Sequence, residues 1–179
     1  VSRTSPDVIH RLTYRDFAKR TRQLANALTK LGMEQGMKVG TFAWNHHRHL
    51  EAYFGVPSTG AVLHMINIRL SPEHIIYVVN HAEDEILLVD EDLFPHVEKL
   101  APHLKTVKHF VIMGDSKTLP ETSLENVYLY EQLLAQESDE FDFPKELDEN
   151  TPAGMCYTSA TTGKPKGVVY THRGIVLHS

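Results

Sequence analysis

The residues with the most chemistry in them lie close together near one end of the chain: Thr158-Ser159-Ala160-Thr161-Thr162-Gly163-Lys164-Pro165-Lys166-Gly167. The hydroxyls of Thr158, Ser159, Thr161 and Thr162 can donate to phosphate oxygens or ligate a magnesium ion. Gly163 and Gly167 let the backbone approach a ligand and turn its amides inward as an anion nest. Lys164 and Lys166 bring the positive charge that a triphosphate needs in a compact site. Pro165 stiffens the segment and fixes where Lys166 points. Two familiar phosphate loops are excluded. The Walker pattern G-x-x-x-x-G-K-[ST] fails because Thr158 stands at its first Gly and Pro165 at its Ser/Thr. A G-x-G-x-x-G turn after the first strand is absent. The bland reading is a polar hairpin loop, and the density of hydroxyls, glycines and lysines argues against it.

Such a loop must be held by regular elements, and the sequence marks them. Thr13 is placed to cap a helix from Tyr14 to about Leu31, with Asp16 completing a capping box and Gly32 ending it. Val39 to Ala43 reads as a buried strand, Arg48 to Ser58 as a helix and Ala61 to Met65 as a strand. Ser71-Pro72 opens a helix to about His81, Ser as N-cap and Pro at the first helical position. Ile86 to Val89 is a strand ending in Asp90, Leu93 to Leu100 a helix and Phe110 to Met113 a strand. From Gly114 to Asn150 the pattern loosens, with one helix at Tyr130 to Gln136. Met155 to Tyr157 is the strand that enters the loop and Val168 to Thr171 the one that leaves it. Strands alternating with helices predict an α/β fold with a mainly parallel sheet.

The loop resembles the phosphate-binding signature of the adenylate-forming superfamily, [YF]-T-S-G-T-T-G-x-P-K-G-V, at every fixed position but one. Gly60 to Asn67, Arg69 to Pro72, Asn80 to Asp84 and Asn45-His46 with Arg48 to Ala52 are similar to the medium- and long-chain fatty acid–CoA ligase branch. The resemblance implies that the chain is the N-terminal subdomain portion of the adenylate-forming ligase fold. Residues 1–150 would then be the N-terminal α/β subdomain of the AMP-binding region. Residues 151–179 would be the phosphate loop between two strands and the start of the next helix. It implies ATP and magnesium as cofactors, CoA as co-substrate and a fatty acid as the acid activated. By position, residues 158–167 would wrap the β- and γ-phosphates, Thr161 or Thr162 would touch magnesium, and Lys166 would screen charge on the leaving pyrophosphate. The adenine, acyl and CoA sites would lie downstream, so the 179-residue chain would be inactive alone. The departure is Ala160, where the pattern has Gly: a required φ > 0 would cost about 1–2 kcal/mol there. An aryl- or amino-acid adenylating ligase, or a non-catalytic scaffold, stands as the alternative.

The remaining features bound the reading. A formal charge of -5 over 179 residues gives no basic surplus for nucleic acid, so a polyanion must be held locally. No apolar run reaches the roughly 20 residues of a membrane helix. A cytoplasmic protein is the expectation, with peripheral membrane contact and a homodimer left open. The cluster His46, His47 and His49 reads as solvated loop rather than a zinc site, Cys156 as a buried inert thiol, and Trp44, at a strand end, as core or subdomain packing. Glu137, Asp139, Glu140 and Asp142 read as a solvated acidic run. His172 and Arg173, following the exit strand, are candidates to face a nucleotide.

Overall fold

A computed structural model describes residues 2–5, 8–158 and 163–179. A short antiparallel hairpin, β1 (Ser2–Ser5) and β2 (Val8–His10), precedes helix α1 (Tyr14–Lys30). Then follow β3 (Lys38–Phe42), α2 (His47–Gly55), β4 (Val62–Met65), α3 (Pro72–Ala82), β5 (Asp84–Asp90) and α4 (Phe94–Leu100). The chain continues through β6 (His109–Met113), β7 (Val127–Leu129), α5 (Tyr130–Ala135), β8 (Pro152–Thr158), β9 (Lys166–Thr171) and α6 (His172–His178).

The start signals act as their chemistry requires. The Thr13 hydroxyl accepts from Asp16 N at 3.1 Å while the Asp16 carboxylate accepts from Thr13 N at 3.0 Å, closing the capping box of α1. Ser71 Oγ accepts from His74 N at the head of α3. One sheet in the order β7-β6-β5-β3-β4-β8-β9 carries the fold, parallel throughout except for the antiparallel pair β8–β9. The sequence reading of a mainly parallel sheet flanked by helices is met. Its omissions are the β1–β2 hairpin and β7, an edge strand paired with β6.

Alternation along β5 divides the core in two. Ile86 and Leu88 face α1, α2 and α5 and pack with Leu24, Leu28, Ala52 and Tyr130. Leu87 and Val89 face α3 and α4 and pack with Ile75, Val79, Phe94 and Val97. The split follows from connectivity. Moving from β3 to β4 and then back across β3 to β5, crossovers of one hand must place α2 and α3 on opposite faces. An ionic knot ties the three helices of the first face: Arg20 of α1 bonds Glu51 of α2 and Glu131 of α5, and Arg48 of α2 bonds Glu131 and Asp115.

Candidate functional site

Because β8 is parallel to β4, its end at Thr158 opens on the carboxyl edge of the sheet, where open α/β folds take ligands. The last ladder pair of the hairpin is Thr158 with Lys166, and between them the structure describes residues 163–165. Thr158, Gly163, Lys164, Lys166 and Gly167 are exposed, and Pro165 is buried beneath them. Gly163 has φ +104, a left-handed conformation that glycine adopts without strain. Ser159, Ala160, Thr161 and Thr162 lie outside the described residues, as does the conformational question raised by Ala160.

The stem of the loop rests on α3. Lys164 Nζ stands 5.1 Å from the centroid of the Tyr77 ring, a cation–π distance. The hydroxyl of Tyr157 lies 2.7 Å from His81 Nδ1, one helical turn beyond Tyr77. Burial, then the charge of Asp84, pushes the Tyr157 phenol up to about 12. The inner edge of the Tyr157 ring meets His64, centroids 5.2 Å apart. His64 is wholly buried and its Nδ1 lies 2.7 Å from Asp84 Oδ2, the carboxylate being wholly buried too. Burial raises the pKa of Asp84. Among the described residues His64 Nε2 and Asp84 Oδ1 meet no partner.

A second cluster marks where the strand order reverses, at the carboxyl ends of β3 and β5. Asp90 Oδ2 accepts from Trp44 N at 2.7 Å and Asp90 Oδ1 lies 2.7 Å from His46 Nε2. The Trp44 indole donates to Asp92 Oδ2 at 3.0 Å. Trp44 is half exposed at the end of β3, which removes core packing from the sequence reading of core or subdomain packing. The histidines differ from expectation as well. His46 caps α2, while His47 and His49 are buried in its first turn, so none is solvated loop. Among the described residues there is no group of three or more His, Cys, Asp or Glu side chains placed to hold a metal.

Three further expectations are corrected. Cys156 is only partly buried, its Sγ 3.6 Å from the Tyr170 hydroxyl, because β9 is an edge strand that leaves β8 partly open. In the acidic run Glu137 is not solvated: its carboxylate packs down on Lys30 at 2.8 Å. His172 and Arg173 do not face the loop. They open α6 beside the Pro152–Thr171 pair, with Arg173 bonded to Glu149, at the other end of the hairpin. Five residues of strand put them about 17 Å from Lys166. Sequence reasoning missed Tyr77, His81 and the His64–Asp84 pair as supports of the loop. The spacing of Tyr77 and His81, four apart on one helix face, was the available signal.

An open, mostly parallel α/β sheet that carries a lysine-bearing hairpin loop on its carboxyl edge defines the class. The sequence profile of the AMP-binding enzyme family matches residues 3–178, and the chain belongs to that family. It is 49% identical over its whole length to a long-chain-fatty-acid–CoA ligase of Thermus thermophilus, spanning 31% of that protein. It is 47% identical over 90% of its length to a 3-methylmercaptopropionyl-CoA ligase of Ruegeria pomeroyi, spanning 30% of it. A medium-chain-fatty-acid–CoA ligase of Ectopseudomonas oleovorans is 42% identical over 96% of the chain and 31% of that protein. The chain thus spans about a third of these relatives. The fold recurs in the crystal structure of an anthranilate–CoA ligase in complex with anthranoyl-AMP, with TM-score 0.84 and 24% identity over 94% of this chain and 31% of that one.

Proposed function

We propose that this chain forms the pyrophosphate-side wall of an ATP-dependent, AMP-forming fatty acid–CoA ligase. The observation that carries the reading is the hairpin loop, with Lys164 and Lys166 exposed on the carboxyl edge of the sheet, in a chain of the AMP-binding family. In the reaction a carboxylate oxygen attacks the α-phosphorus of ATP and the bond to pyrophosphate breaks. The CoA thiol then attacks the acyl carbon, the bond to AMP breaks, and the thiol proton leaves. The backbone of Gly163 and Gly167 and the hydroxyls of Thr158, Ser159, Thr161 and Thr162 would bind and orient the β- and γ-phosphates. Lys166 would screen the charge that builds on the leaving group. Magnesium would reach Thr161 or Thr162 together with the triphosphate.

Fatty acid as substrate is supported by the Thermus and Ectopseudomonas relatives. The Ruegeria relative, nearly as similar, favours a second reading in which a short sulfur-containing acid is activated. The test is ATP–pyrophosphate exchange by the intact protein with a panel of straight-chain, sulfur-containing, aryl and amino acids. Exchange that rises with fatty acids is expected, and the 179-residue chain alone is expected to be silent. Exchange only with aryl or amino acids removes the fatty acid assignment. No exchange with any acid favours a non-catalytic scaffold.

A further inference from the structure

Lys164 occupies the one free position of the stretch Gly163-x-Pro165-Lys166, and the Tyr77 ring of α3 lies beneath it. A continuous set of contacts runs from that lysine to the interior. The ammonium lies over Tyr77, whose ring is 5.2 Å from that of His81. His81 holds the hydroxyl of Tyr157, and the Tyr157 ring lies tilted against that of His64, which Asp84 fixes. Both stems of the loop are therefore set against one helix face. Tyr157 anchors the entering strand and Lys164 the segment before the leaving strand.

We propose that Tyr77 and His81 are positioning residues for the phosphate loop, Tyr77 by holding Lys164 in place and His81 by holding Tyr157. A lysine side chain carries about 2 kcal/mol of rotamer freedom, and an ammonium left free must lose that freedom when phosphate binds. Resting on a ring face, Lys164 has lost part of it beforehand and keeps outward N–H groups for a phosphate oxygen. Tyr77 itself touches no phosphate. It acts through the lysine.

The kinetic part of the test rests on the ligase reading above. In the intact protein, Tyr77→Leu is expected to raise KM for ATP about two- to fivefold, with kcat and the KM of the acid unmoved. Tyr77→Phe keeps the ring face and is expected to match the wild type. An unchanged or lowered KM for ATP in Tyr77→Leu overturns the proposal, as does a Tyr77→Phe variant impaired equally. A second readout needs no activity: the rate of tryptic cleavage between Lys166 and Gly167, followed by mass spectrometry. Tyr77→Leu and His81→Leu are each expected to raise it about two- to fivefold. In a Lys164→Gln background Tyr77→Leu is expected to add nothing. If the wild type exchanges no pyrophosphate, the ligase reading fails and the cleavage rates still decide the positioning role. Unaltered rates in Tyr77→Leu then overturn it.

Discussion

Glu131 is the point at which three helices are tied, and its removal has a cost that can be worked from the structure. Its carboxylate accepts from Arg20 Nη1 at 2.8 Å, Arg20 Nη2 at 3.0 Å and Arg48 Nε at 2.7 Å. Burial works to raise its pKa, but the hydrogen bonds and charge of Arg20, then those of Arg48, pull it from 4.5 down to about 2. A carboxyl that binds its proton more weakly folded than unfolded stabilises the fold fully above pH 4.5 and progressively less as pH falls toward 2. A difference of that size corresponds to about 3 kcal/mol at neutral pH. The side chain is 22% exposed, so solvent screening takes only part of this. Glu131→Gln should therefore lose about 2–4 kcal/mol at pH 7, a drop in Tm of about 5–15 °C for a chain of this size. Urea unfolding of the two proteins, followed by circular dichroism at pH 7 and stepwise to pH 3, measures the gap. It should narrow below pH 4.5. A gap under about 0.5 kcal/mol at pH 7, or one indifferent to pH, would refute the reasoning.

His47 sets a second pH window. Burial, then the charges of Arg48 and Arg20, hold it down at about 3 against an ordinary 6.5, so its contribution is complete above pH 6.5 and lost as pH falls toward 3. Between pH 6.5 and 5 the wild type should lose about 2 kcal/mol that His47→Gln does not lose, and equal slopes in urea titrations would contradict this. Gly40 lies in β3 where an added Cβ would stand 2.8 Å from Leu87 Cδ1 and 3.0 Å from Asp84 Oδ2. Gly40→Ala should destabilise by about 1–3 kcal/mol in a thermal melt, and an unshifted Tm would mean the His64–Asp84 pair yields freely.

Much of this was legible in the sequence because short-range chemistry declares itself. The Thr13–Asp16 box, the Ser71-Pro72 start and the aliphatic run Ile86 to Val89 each predict their element from neighbours alone. The hairpin is implicit too: residues 159–165 are too few for a parallel crossover. The rest depends on contacts distant in the chain. Val127-Tyr128-Leu129 has no period to read and is a strand only because β6 offers it an open edge. His64 interrupts the apolar run of β4, Asp84 stands twenty residues on between Glu83 and Glu85, and only the pairing of β3 with both β4 and β5 brings them to 2.7 Å. The histidines of α2 read as polar surface because their partners Thr41 and Asp90 come from β3 and β5.

The hairpin also explains why the loop is so rich in lysine. In a Walker or dinucleotide loop the strand runs straight into a helix, whose N-terminus adds amides and about half a positive charge behind the phosphate. Here β8 passes through the loop into β9, and α6 begins only at His172, at the far end of the hairpin. On the proposed reading, in a chain of net charge -5, the field that balances a polyphosphate at this edge would come in part from Lys164 and Lys166. Lysine supplies charge but not position, and a mobile ammonium is a poor substitute for a fixed dipole. Buried Pro165 constrains the backbone next to Lys166, and the Tyr77 ring constrains Lys164. On the proposed reading, the contacts of Tyr77 with Lys164 and of His81 with Tyr157 would do part of the work that a helix N-terminus does elsewhere, by orienting one cation and anchoring the strand that enters the loop.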